Sequence, residues 1–162
     1  MKPTDAKTAD ARPTDAEYEQ LLEIAYFALD ERLFDDAASI LGALAQTRPD
    51  KPYPRIGLAL LAYARGDRDA AIGGLRAVLA SFPDAVFTRS MLAQLLKDSN
   101  QLGWERYAHE ALERTSEGVA ADIARRALGT TQTSPSISLS TLTTLSPIVA
   151  AHAAAMMTAQ RV

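Results

Sequence analysis

His109 and His152 are the side chains here that titrate near neutrality and could move protons or hold a metal. Neither stands at metal-ligand spacing from a second donor. His109 sits beside Glu110 on a helical pattern, where a partly exposed surface residue is the expected role. Asp35-Asp36 could be taken for a carboxylate pair, but adjacent helix residues point in different directions. Acids at a helix N-terminus account for them better. Gly73-Gly74 lacks the lysine and hydroxyl of a phosphate cradle. It is expected inside a helix, letting another helix come close. Cysteine is absent, which removes disulfides, thiolate metal sites and a cysteine nucleophile. Catalysis needs a nucleophile, a base and an orienting group in mutual reach. The sequence offers no such set, so neither enzymatic activity nor a metal or cofactor is expected.

Composition narrows the class further. The 162 residues are 48% hydrophobic and 23% charged, a globular balance with room for one core. Net charge is −3 and no basic block is present, so nucleic acid is not an expected partner. No apolar run approaches the roughly 18 residues of a membrane span. The N-terminus carries no apolar stretch of the secretory kind, so a cytoplasmic protein is expected, with action in the envelope by a non-classical route as the alternative.

The elements are helices. Residues 1–14 are proline-containing, charged and nearly devoid of apolar side chains, and are expected to be a disordered lead-in. From Asp15, the expected N-cap, Tyr18, Leu21, Leu22, Ala25, Ala28 and Leu29 recur at steps of three and four. Further helices are expected over about 33–47, 52–65, 68–81, 85–98, 103–115 and 117–128, with Pro49 and Pro83 as stops. Pro52 and Pro54 suit a first turn, Gly66 a link, and Asp67 or Asp69 a cap. No strand is expected. The segments 34–50 and 68–84 align at a period of thirty-four residues: Ala37 on Ala71, Leu41 on Leu75, Leu44 on Val78, Pro49 on Pro83.

That period resembles the tetratricopeptide repeat (TPR), a helical hairpin that buries its second face by stacking on its neighbours. Numbered from Tyr18, Pro52 and Val86, the seventh position holds Ile24, Leu58 and Leu92 and the eighth Ala25, Ala59 and Ala93. The twentieth holds Ala37 and Ala71. The first helices lack the motif's tryptophan, and Glu105 stands where the third unit should have alanine. The expected fold is all-α: a TPR-like α-solenoid of about three antiparallel helix pairs over 15–128, closed by a capping helix, with disordered N-terminal and C-terminal tails.

In that repeat the first helices line a groove. Its positions read Glu19, Leu22, Tyr26, Leu29 and Asp30, then Tyr53, Ile56, Leu60, Tyr63 and Ala64, then Phe87, Ser90, Gln94, Lys97 and Asp98. The expected partner site is Leu22, Tyr26, Leu29, Tyr53, Ile56, Leu60, Tyr63, Phe87 and Gln94, apolar and aromatic in the middle. TPR domains that grip acidic chaperone tails use lysine and asparagine there, so an apolar protein segment is the better ligand. The competing account is that Tyr26, Tyr53, Tyr63 and Phe87 are ordinary core, covered by the chain's own ends. Residues 129–146 read as a linker, eleven of the seventeen residues 130–146 being serine or threonine. Residues 147–162 read as a short helix or a free tail. Self-association through an apolar face also stays open.

The stretches Phe34-Asp35-Asp36-Ala37, Ile40-Leu41, Ala43-Leu44, Arg48-Pro49-Asp50, Arg65-Gly66 and Ala70-Ala71-Ile72, with Trp104 and Ala111-Leu112-Glu113 later, resemble the Hrp-type TPR-like proteins of bacterial type III secretion. The resemblance spans about 17–128. It implies a non-enzymatic accessory or assembly protein that binds part of a secretion apparatus. A second type III group of similar length, the TPR chaperones that shield translocator subunits, implies the alternative role.

Overall fold

The computed structural model describes residues 12–130, which form seven α-helices and, among the described residues, no strand. Helix α1 (Asp15–Asp30) opens on Thr14, one residue before the expected cap. The Thr14 hydroxyl accepts the Glu17 N–H at 3.3 Å while the Glu17 carboxylate accepts the Thr14 N–H at 2.8 Å, a reciprocal box that satisfies two unpaired donors. Asp15 is left free to pair with Arg48, 2.7 Å away. Helix α2 (Phe34–Thr47) stops before Pro49, and α3 (Tyr53–Ala64) opens on Pro52 with Pro54 in its first turn. Gly66 turns the chain at φ +87°, which a side chain would strain. Asp67 then caps α4 (Arg68–Ser81), its carboxylate accepting the Ala70 N–H at 2.9 Å. Three further helices follow: α5 (Val86–Asp98), α6 (Trp104–Arg114) and α7 (Gly118–Leu128).

The links between α1 and α2 and between α3 and α4 are too short for a parallel return, so each pair packs as an antiparallel hairpin; α5 and α6 form the third. Between hairpins, α3 lies on α2 and α5 on α4, with α1 touching α3; α7 lies against both α5 and α6. Ala25, Ala59 and Ala93, thirty-four residues apart, are all buried. Close approach within the second hairpin depends on Gly74, where an added Cβ would sit 3.0 Å from the Ala59 Cβ; Gly73 faces open space. In the third hairpin Glu105 is exposed and Ala108 is buried instead, three residues on, after a longer link.

One core cluster runs from Tyr18 to Leu96 and takes in Ile123. A second, made of Ala93, Ala108, Ala111, Ala124 and Ala127, seats α7. Helix α5 is covered on every side, all nine residues from Thr88 to Leu96 being buried. Leu21 and Ile24, which helical periodicity and the repeat's seventh position assign to the core, are exposed instead. No described helix precedes α1 to cover them. The 129–146 linker beyond Thr130, the short helix or free tail expected over 147–162 and the lead-in before Arg12 lie outside the described residues. None of the described helices is long and apolar enough to cross a membrane.

Candidate functional site

The nine expected groove residues divide by depth. Leu22, Tyr26, Leu29, Ile56, Leu60 and Gln94 are buried, none more than 5% exposed. Tyr53, Tyr63 and Phe87 are half-buried and packed against the core. The division follows repeat position. The fifth and ninth positions, Leu22, Tyr26, Ile56, Leu60, Ser90 and Gln94, form a closed floor. The second positions, Glu19, Tyr53 and Phe87, form a half-open rim, joined at the far end by Tyr63 and Lys97. A partner cannot desolvate side chains already out of water, so in this conformation only the rim is available to one. For Tyr26 the account as core is the one its burial favours.

Tyr26 ties two hairpins together. Its hydroxyl donates to the Tyr53 carbonyl at 3.0 Å, across the start of α3. Burial holds the Tyr26 and Tyr18 phenols well above their ordinary range and raises Tyr53 as well, so all three remain neutral. Tyr63 is also raised, first by burial and then by the nearby Asp98 charge, with Arg68 opposing. At this end Gln94 Nε2 donates to Asp98 Oδ1 at 2.9 Å. Gln94 Oε1 and Asp98 Oδ2 are buried without a protein partner. The rim thus presents the aromatic edges of Tyr53, Tyr63 and Phe87, while the acceptor atoms at its third-hairpin end are buried.

A bacterial type III secretion protein family (HrpB1_HrpK) matches residues 11–133. The chain belongs to that family. No curated protein matches it. The resemblance carried by the Phe-Asp-Asp-Ala, Arg-Pro-Asp and Arg-Gly stretches is therefore sound, and the structure shows what those residues do in this type III secretion protein: they fasten hairpins. Arg48 stacks its guanidinium 5.2 Å from the Tyr18 ring centroid, pairs with Asp15, reaches Asp50 at 3.6 Å and donates to the Pro13 carbonyl at 3.4 Å. It binds the end of α2 to the start of α1. Arg65 pairs with Asp35 at 2.7 Å and lies over Phe34 at 5.8 Å, joining the end of α3 to the start of α2. Asp84 repeats the device with Arg114 at 2.6 Å. Asp35 and Asp36 are first-turn acids of α2, as expected. His109 is exposed on α6, while its neighbour Glu110 pairs with the buried Arg89 at 2.9 Å. Among the described residues no three His, Cys, Asp or Glu side chains are grouped to hold a metal.

The pattern of types missed one feature of this type III secretion protein. Ile24 and Phe27 on α1 are 52% and 60% exposed, with Leu21 beside them and Leu33 in the following turn. The signal was legible: Leu21, Ile24 and Phe27 recur every third residue, on a face distinct from that of Leu22 and Leu29.

Proposed function

We infer that this type III secretion protein is a non-enzymatic assembly or accessory factor, a TPR-like solenoid that binds a protein segment along the first-helix face of its hairpins. The observation supporting this is the half-open rim of Tyr53, Tyr63 and Phe87 over a floor that is already packed. Tyrosine and phenylalanine at such a rim give a partner apolar area, and the hydroxyls stay wet. Leu22, Tyr26, Leu29, Ile56, Leu60 and Gln94 then position the rim and hold its curvature. An extended apolar segment fits best, its side chains laid against the Tyr53, Tyr63 and Phe87 edges. The cytoplasm is the compartment we assign.

Affinity capture from the native host tests this. Tyr63→Ala should deplete secretion-apparatus components from the captured set while leaving the melting temperature nearly unchanged. Loss of folding in that variant would place the ring in the core and the binding surface elsewhere. A chaperone role toward a translocator or needle subunit uses the same rim. It predicts in addition that co-expression keeps that subunit soluble and that Tyr53→Ser abolishes the effect.

A further inference from the structure

The three hairpins differ most on one stripe of their first helices. Leu21, Ile24 and Phe27 in α1 correspond, at thirty-four-residue steps, to Arg55, Leu58 and Leu61 in α3 and to Arg89, Leu92 and Leu95 in α5. Phe27 is 60% exposed, whereas Leu61 is 4% and Leu95 0%. The cause is the preceding helix: α2 lies on α3 and α4 on α5. A Cβ added at Gly57 would strike the Leu41 side chain at 2.7 Å, which fixes α2 on this side of α3. Glu23 stands in α1 where Gly57 stands in α3.

The charge on α1 itself is one-sided, with Arg32 in the turn that follows. Helix α1 carries Asp15, Glu17, Glu19, Glu23 and Asp30 and no lysine or arginine. Glu17 lies four residues before Leu21, Glu23 four before Phe27 and Glu31 four after it, and all three are exposed. No described helix of this chain has a net charge above +1, so a second copy offers little complement. Residues 131–162 contain Arg161 and no lysine, so the chain's own tail offers no more.

We propose that the outer face of α1 docks a basic amphipathic helix of a partner protein, seated where the second helix of a preceding repeat would lie. Its apolar side chains cover Leu21, Ile24 and Phe27, and its lysines or arginines meet Glu17, Glu23 and Glu31. This surface is separate from the rim of Tyr53, Tyr63 and Phe87, and either can fail without the other.

The probe is a labelled leucine/lysine amphipathic peptide of about 18 residues, long enough to be helical, with a leucine/glutamate counterpart. Titrated into the full chain and followed by fluorescence anisotropy, the lysine peptide binds and the glutamate peptide does not. Ile24→Asp combined with Phe27→Asp weakens binding at least about tenfold, and roughly 0.5 M salt weakens it too, since surface charges are then screened. These side chains are exposed, so the variant's melting curve should match that of the parent. Glu23→Lys with Glu31→Lys gives an independent reading should the aspartate variant misfold, and it also weakens binding. Unchanged affinity in both variants, or equal binding of the two peptides, overturns the proposal. So does a concentration-dependent dimer that Phe27→Asp makes monomeric, which assigns the face to a second copy. A cross-link from residues 131–162 to α1 in the full chain assigns it to the tail and overturns the proposal equally.

Discussion

Helices α1 and α5 occupy the same place in their hairpins and meet opposite surroundings. Both place an apolar side chain at the repeat's seventh and tenth positions: Ile24 and Phe27 in one, Leu92 and Leu95 in the other. In α5 these are sealed by α4, α6 and α7 together, and even Arg89 is drawn in, 8% exposed. Its charge is met by Glu110 at 2.9 Å and the Pro83 carbonyl at 2.8 Å, which a guanidinium at that depth requires. In α1 the same positions face water. Side-chain type therefore does not decide burial in a stacked array. The presence of a neighbour on that side does.

Substitutions can break this comparison or sharpen it. The largest effect is expected inside α5: Leu92→Ala should cost about 3 kcal/mol in urea unfolding, because the transfer loss adds to a cavity its packed neighbours cannot fill. A loss below about 1 kcal/mol there would mean that α5 is not sealed. On the inner face of α1, Tyr26→Phe should cost about 1 kcal/mol by removing the hydroxyl's bond to the Tyr53 carbonyl. The same residue shapes the alkaline limb. Its phenol is raised by burial above the ordinary value of 10.0, so the folded chain holds its proton longer than the unfolded one. Stability should fall as pH climbs past the ordinary phenol value, and Tyr26→Phe should flatten that fall.

At the start of α1, Thr14→Ala should cost on the order of 1 kcal/mol by opening the capping box. Its partner Glu17 is held below the ordinary 4.5 by hydrogen bonds from the Thr14 backbone and hydroxyl. The contribution is present above that ordinary value and is lost as pH falls through the folded-state value. The variant should accordingly show a shallower acid limb. The smallest effect is reserved for the outer face: Ile24→Ala and Phe27→Asp should each move stability by no more than about 0.5 kcal/mol. A loss of several kcal/mol there would show that something already covers α1 in solution.

Much of the fold was legible because its signals are local. Pro49 and Pro83 remove helix continuation wherever they sit, Gly66 supplies a positive φ, and Asp67 caps from its own side chain. The one-residue shift from Asp15 to Thr14 at the first cap has a local signature too, since Thr14 and Glu17 stand at capping-box spacing. The groove was less legible. Repeat position alone assigns its nine residues, and position cannot say how far one first helix closes over the next. Tyr26 shows the gap: an amphipathic ring suits a wet rim, yet here its hydroxyl is consumed by a backbone carbonyl twenty-seven residues away. The fastening pairs Arg48–Asp15, Arg65–Asp35 and Arg114–Asp84 were likewise not legible as pairs, because each joins residues about thirty apart in the chain.

What the amino-acid order settled unaided was the set of helices, their stops and their thirty-four-residue recurrence, all of which follow from backbone preferences and side-chain period. Which apolar stripe meets protein and which meets water was decided by stacking, since a helix has several faces and only its neighbours choose among them.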